Sequence, residues 1–309
     1  MIKVGCCGYP VAVKKYHENL RLVELNVTFY RYPKLSTVDK WKAKVPTDFE
    51  FSVKAHRDIT HKHRLKPQKQ CLETFEKMKE ICKALEAQLL LIQTPASFKP
   101  DKLNVAREFF KKVNREGLRL VWETRGLEWE APAIREKFAE TLQTLDIAHV
   151  TDPLKTLPAY SGEVAYFRLH GLGERLYYYQ YLDEELRKLE TIARQFETEG
   201  KDVYVLFNNL SMFEDATRFF HYLKTGKFKS VMETKGIESV KNIIGKTRYP
   251  VSKALLIKRV GWRVVELEDG ETMRLQELLK KVPSSKIYDN VEQVLNDIKL
   301  KKITLNDDD

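Results

Sequence analysis

The 309-residue chain is 43% hydrophobic, enough apolar material for one large domain and a smaller one. No run approaches the roughly 18 consecutive apolar residues of a membrane span. MIKVGCCGYP opens directly into a strand rather than a basic leader with an apolar core, so a cytoplasmic protein without a signal peptide is expected. The formal charge of +10 fits a polyanionic partner, although a chain that is 32% charged and rich in Lys and Glu also has the composition of a thermophile surface.

Strand-like and helix-like runs alternate along the chain. MIKVGCCGY reads as a first strand and RLVELNVTFY as a second. A helix is expected over about residues 37–45, then a third strand, DFEFSVKAH, and a long amphipathic helix over about residues 70–85. AQLLLIQT is the fourth strand, closed by Pro95, and VAREFFKKVNRE a helix stopped at Gly117. LRLVWETR, IAHVTD, EVAYFRLHG and KDVYVLFNN supply strands five to eight. Their intervening helices are AIREKFAETLQTL and DEELRKLETIARQFE, and MFEDATRFFHYL follows the last strand. The link TDPLKTLPAYSG is too short and Pro-rich for a good helix.

Eight apolar, uninterrupted strands with helices between them are the pattern of a (β/α)8 barrel, and a span of about 220 residues is near the usual size. The expected organisation is an α/β TIM-type barrel over residues 1–245 and a small α+β module over 246–309. The module carries the elements SKALLIKRV, WRVVELED, MRLQELLKKV and NVEQVLNDI and an acidic tail, LNDDD. The four cysteines lack zinc or disulfide spacing and read as buried small side chains.

Barrel enzymes carry their chemistry at the C-terminal ends of the strands. Those ends hold Glu24 and Asn26, Lys54 and His56, Gln93, Glu123 and Arg125, Asp152, Arg168 and His170, and Asn208 and Asn209. Four of these are pairs two residues apart, so both members should face the same way. Acids, arginines, a lysine and a histidine would then converge in one mouth. Arg125, Arg168 and Lys54 suit a phosphate or carboxylate. Glu24 and Glu123 suit general acid–base work if their surroundings separate their pKa values. Alternatively Glu24, Glu123, Asp152 and His170 would hold a divalent metal, for which these donors suit magnesium or manganese. A plain ion-pair cluster plugging the barrel top is the structural alternative. HKHR, residues 61–64, reads as a solvated or anion-contacting loop, and GLGERLYYYQYLDEEL as a loop whose tyrosines either stack on a substrate ring or pack over the barrel top.

GCCGYP, VELNVTFYRYP, the helix around Trp41, FEFSVKAHRDITH, LIQTP, WETRGLEW, YFRLHG, YYYQYLDEEL and VLFNN followed by Asp215-Ala216 occur in order over residues 2–245. Together they resemble the domain-of-unknown-function-72 family of barrels. The resemblance implies a TIM-type barrel and, carried over by motif, site positions at Glu24, Asn26, Thr28, Tyr30, Lys54, Gln93, Glu123, Arg125, Trp129, Asp152, Arg168, His170, Gly171, Tyr181, Asn208 and Asn209. The barrel is also similar at fold level to apurinic endonucleases and xylose isomerases, but the His-rich metal set of those nucleases is missing here.

The function expected is a hydrolase of phosphodiesterase or nuclease type. Its catalytic groups would be Glu24, Glu123, His170 and Asp152. Asn26, Tyr30, Lys54, Gln93, Arg125, Trp129, Arg168, Tyr181 and Asn208 would bind a phosphate-containing or nucleic-acid substrate. The alternatives are a non-catalytic nucleic-acid-binding protein and a sugar-phosphate isomerase or epimerase.

Overall fold

A computed structural model describes residues 1–280 and 282–303, and the acidic tail expected at 305–309 lies outside the described residues. The chain divides into two compact units, Met1–His170 with Leu189–Asn208, and Gly171–Lys188 with Asn209–Asp309.

The first unit holds the eight strands. They are β1 (Ile2–Cys7), β2 (Leu22–Leu25), β3 (Glu50–Lys54), β4 (Leu89–Gln93), β5 (Arg119–Glu123), β6 (Ala148–His149), β7 (Val164–Leu169) and β8 (Asp202–Phe207). All pair in parallel in the order β6-β5-β4-β3-β2-β1-β8-β7. A parallel bridge between Thr151 and Phe167 joins the two edges, so the eight strands form a nearly closed barrel surrounded by helices. Closure removes the unpaired edges that an open sheet would present. The helices of this unit are α1 (Val13–Asn19), α2 (Val27–Tyr30), α3 (Leu35–Lys42), α4 (Lys69–Leu85), α5 (Leu103–Lys112), α6 (Pro132–Leu145) and, from Leu189 on, α7 (Asp183–Thr198), while α8 (Met212–Thr225) belongs to the second unit. The β6–β7 link carries turns and no helix, as its prolines lead one to expect.

Local sequence explains these elements. Helix α4 buries Cys71, Phe75, Met78, Cys82 and Leu85, spaced three or four apart, on one stripe. It ends where Glu86 turns left-handed (φ 55°) and caps the helix. Helix α6 begins with Pro132, whose missing N–H has no intrahelical partner to lose. Inside the barrel, Leu22, Leu89, Leu91, Val121, Tyr166, Tyr204 and Leu206 form one apolar cluster, each large side chain worth roughly 1.5–3 kcal/mol when withdrawn from water. Strands β1 and β2 approach so closely that a Cβ on Gly5 would meet the Leu22 carbonyl oxygen at 2.2 Å, which makes glycine obligatory there. All four cysteines are buried and free.

The second strand differs from the sequence expectation. It stops at Leu25, and VTFY is a single helical turn rather than strand. The β-branched and aromatic composition of VTFY favours a strand. The turn is instead fixed by Thr28, whose buried Oγ1 lies 2.8 Å from the Leu25 carbonyl and 2.7 Å from that of Lys54. Asn26 therefore starts a helix and is not the strand neighbour of Glu24.

The second unit contains α9 (Gly236–Ile244), β9 (Val251–Ser252), α10 (Lys253–Val260), β10 (Val264–Glu266), β11 (Thr272–Arg274), α11 (Leu275–Lys280), β12 (Ile287–Tyr288) and α12 (Val291–Ile303). Two antiparallel ribbons, β10–β11 and β9–β12, and the four helices enclose a core that includes Val240, Ile244, Leu256, Val265, Leu275, Leu279 and Tyr288. Residues 171–188 belong to this unit. Glu185 accepts both Tyr179 Oη (2.6 Å) and Arg274 Nη2 (2.9 Å), and Gln180 Oε1 accepts the Val264 N–H at 2.9 Å. No helix among the described residues is long and apolar enough to cross a membrane.

Candidate active site

The mouth is built from side chains that alternate inward along the strands. Cys7 on β1 pairs in register with Glu24 on β2, and Glu24 with Ser52 on β3. Gln93 on β4 pairs with Glu123 on β5. Two-residue periodicity then puts Lys54 above Ser52 and Arg168 above Tyr166.

Arg168 is the hub. It is 1% exposed and its guanidinium reaches two carboxylates: Nη2 donates to Glu24 Oε1 at 2.9 Å, and Nη1 donates to Glu123 Oε2. The second oxygen of each glutamate is also taken. Tyr166 Oη donates to Glu24 Oε2 at 2.9 Å and contacts Ser52 Oγ at 2.6 Å, while Arg125 Nη2 lies 2.8 Å from Glu123 Oε1. Burial raises the pKa of Glu123, but Arg168, Arg125, His170 and Lys54 outweigh it and bring the group down to about 2. Glu123 is thus an ionised structural partner at neutral pH and has no proton to donate.

Three other groups are tuned toward neutrality. Burial lowers Lys54 to about 8, with Arg168 adding to the effect and Glu24, Glu123 and Cys7 opposing it. Burial raises Asp152 to about 6, against Lys155 and the N–H groups of Leu154 and His170. Burial lowers His170 to about 3, against Glu123, so its imidazole is neutral at physiological pH. His170 Nε2 stands 3.3 Å from Arg125 Nη2, and the His170 N–H donates to Asp152 Oδ2 at 3.4 Å. A cavity of about 130 Å3 lies beside them, lined by Glu123, Thr151, Asp152, Lys155, Arg168 and His170 among others.

Cations exceed anions here. Beyond the Glu24–Arg168–Glu123 triad stand Lys54 and Arg125, and their charges, with those of Arg57 and Arg64, bear on His61 of the HKHR loop. Asn26 Oδ1, Thr151 Oγ1, Arg125 Nε and Arg168 Nε are buried with no hydrogen-bond partner among the described residues. Buried polar atoms normally find partners, and of these Thr151 and Arg168 line the cavity beside His170.

The remaining expected residues separate. Trp129 is 1% exposed, donates its indole N–H to the Phe98 carbonyl at 3.2 Å and packs against Trp122 and Phe138, so it offers no surface to a substrate. Tyr181 is fully buried in the second unit, where its hydroxyl accepts the Gly171 N–H at 2.9 Å. Asn209 is likewise structural, donating to the Tyr179 carbonyl and to Asp215 Oδ2. Tyr30 points outward and is 62% exposed, Asn208 follows β8 half-buried, and Gln93 ends β4 half-buried. Glu24, Glu123, Asp152 and His170 do not gather as metal ligands. Arg168 sits between the two glutamates, and no cluster of three His, Cys, Asp or Glu side chains among the described residues is placed to hold a metal. Sequence reasoning missed Tyr166 and Ser52, although each lies two residues before a predicted site residue and therefore on the same face.

Comparison with known proteins agrees with this architecture. The family model described as "Protein of unknown function DUF72" matches residues 10–234. UPF0759 protein YunF of Bacillus subtilis (strain 168) is 25% identical over 227 residues, covering 64% of this chain and 80% of the relative. A crystal structure of a DUF72 family protein from Thermotoga maritima MSB8 superposes with a TM-score of 0.59 at 25% identity, covering 72% of this chain and 99% of that one. One from Enterococcus faecalis V583 gives a TM-score of 0.60 at 22% identity, covering 72% and 98%. With the family's model matched over most of its length and the barrel it implies in place, the chain belongs to the DUF72 family.

Proposed function

We propose that the barrel mouth is the active site of an acid–base enzyme acting on a small phosphorylated substrate, in the manner of a sugar-phosphate isomerase. The observation that carries this reading is the separation of roles. The two glutamates are bound to arginines, Lys54 (about 8) and Asp152 (about 6) titrate close to neutral pH, and His170 stands by as an uncharged imidazole. Lys54 and Arg125 supply the cations for a phosphate, Arg by bidentate geometry. Lys54, Asp152 and His170 supply bases and acids whose pKa values lie on either side of neutrality, as proton transfer at carbon requires.

Hydrolysis of a phosphate ester is the second reading, favoured by the cavity beside neutral His170 and Asp152, where a water molecule would have a base within reach.

Calorimetric titration with inorganic phosphate, a sugar phosphate and an oligonucleotide tests the site. Sugar phosphate should bind, and Arg125→Ala should weaken it by roughly 10- to 100-fold, the worth of one charge-assisted contact. Unchanged affinity in that variant would sink the reading. Steeply salt-dependent oligonucleotide binding that ignores Arg125 would instead favour a nucleic-acid-binding surface.

A further inference from the structure

Lys54 is an unusual lysine on geometric grounds alone. Its residue is 9% exposed, yet no hydrogen bond or ion pair engages Nζ among the described residues. The ammonium instead lies 4.2 Å from the centroid of the Phe29 ring, which the helical turn after β2 places beneath it. The charged and titratable groups facing it are Glu24 (β2), Arg168 (β7), Glu123 (β5) and Cys7 (β1) from the other strands, and His61 from the HKHR loop, whose ring also packs against Phe29 and whose protonation the Lys54 charge disfavours. Both carboxylates are turned toward arginines, and burial first, with Glu24 adding to it, holds the Cys7 thiol protonated. A lysine serving structure would take a carboxylate. One kept dry beside a guanidinium is set up to present a neutral amine.

We infer that Lys54 is a nucleophile that forms an imine with the carbonyl carbon of a small phosphorylated aldehyde or ketone. This rests on the reading that the mouth holds a phosphorylated substrate, with Arg125 as the anion partner. The nitrogen lone pair of Lys54 adds to the carbonyl carbon while the C=O π pair moves to oxygen. The two amine hydrogens pass to that oxygen, which leaves as water as the C=N bond forms. Nothing is oxidised or reduced, and addition of water to the imine returns the amine and the carbonyl compound. While it lasts, the imine withdraws electrons from the neighbouring carbon, whose proton His170 or Asp152 then removes. Lys54 thus becomes a covalent catalytic residue, beyond the electrostatic role that anion binding would give it.

Reductive trapping tests this. The full chain is incubated with dihydroxyacetone phosphate or glycolaldehyde phosphate and sodium cyanoborohydride, and adducts are located by peptide mass mapping. The expected result is an adduct concentrated on Lys54, about tenfold or more above any other lysine. Inorganic phosphate should suppress it, and Lys54→Arg should abolish it. Adducts spread over the exposed lysines while calorimetry still detects sugar-phosphate binding would overturn the imine and leave the anion site standing. Absence of both the adduct and the binding would overturn the imine together with the reading beneath it. Since the wild-type chain supplies the decisive pattern, a folding defect in the variant cannot mask the answer.

Discussion

At the N-terminal end of the barrel, Lys3 reaches Glu50 at 2.9 Å and Tyr204 Oη at 3.0 Å, and Tyr204 donates to Glu50 at 3.0 Å. Burial disfavours the Lys3 charge, yet its hydrogen bonds prevail and raise its pKa above the ordinary lysine value. At the C-terminal end, Lys54 has carboxylates nearby but none of its own, and its pKa falls to about 8. Lysine, glutamate and tyrosine occur at both ends. Two things differ: Lys54 is more deeply buried than Lys3, and Arg168 occupies the glutamates that would otherwise pair with Lys54. The polar cluster at the floor is closed on itself, and the one at the mouth leaves a lysine without a carboxylate of its own.

The largest effect is expected from removing that hub. Arg168→Met would leave Glu24 buried without its ion-pair partner and Glu123 with Arg125 alone, costing about 3–5 kcal/mol. Urea denaturation should show this, and a loss below about 1 kcal/mol would mean that the triad is not the keystone of the mouth. Acid should act on the same cluster. The Glu123 carboxylate is depressed to about 2 in the fold against its ordinary value of 4.5. The stability it contributes is therefore present above about pH 4.5 and is lost as pH falls through that value toward 2, on the order of a few kcal/mol. Glu123→Gln should flatten the stability profile across that window.

Smaller effects separate the two lysines. Lys54→Met removes a buried cation that has no ion-pair partner, so stability should hold or rise by about 1 kcal/mol while sugar-phosphate binding is lost. A marked fall in stability would place Lys54 with the structural lysines. Lys3→Met should cost no more than about 1 kcal/mol, because Glu50 is partly exposed and screened. It should leave ligand affinity unchanged, a contrast that calorimetry and urea curves on both variants would check.

Much of the fold was readable from one device, apolar strand runs closed by Gly or Pro and separated by helical periodicity. RLVELNVTFY shows where it fails. VTFY has strand composition, and only the long-range contact from Thr28 to the Lys54 carbonyl, 26 positions away, makes it a turn. The mouth was readable as a set of residues because parity alone brings Glu24, Lys54, Glu123 and Arg168 inward. Which acid meets which base was not, since both glutamates and three cations satisfy the same parity and only distance decides among them. Trp129 and Tyr181 were misplaced for a related reason. An aromatic side chain in a loop beyond a strand serves a ligand or a core equally well until its N–H or O–H partner is known, and here those partners are Phe98 and Gly171.

The contrast between the two lysines can be measured directly by competitive labelling of the wild-type chain with acetic anhydride across pH 6 to 11, read by mass spectrometry at Lys54 with Lys3 as internal control. The prediction is that Lys54 titrates near 8, while Lys3 titrates above the ordinary lysine value of 10.5. Both lysines titrating together in the ordinary range would contradict the claim that the barrel mouth keeps an unneutralised, reactive lysine.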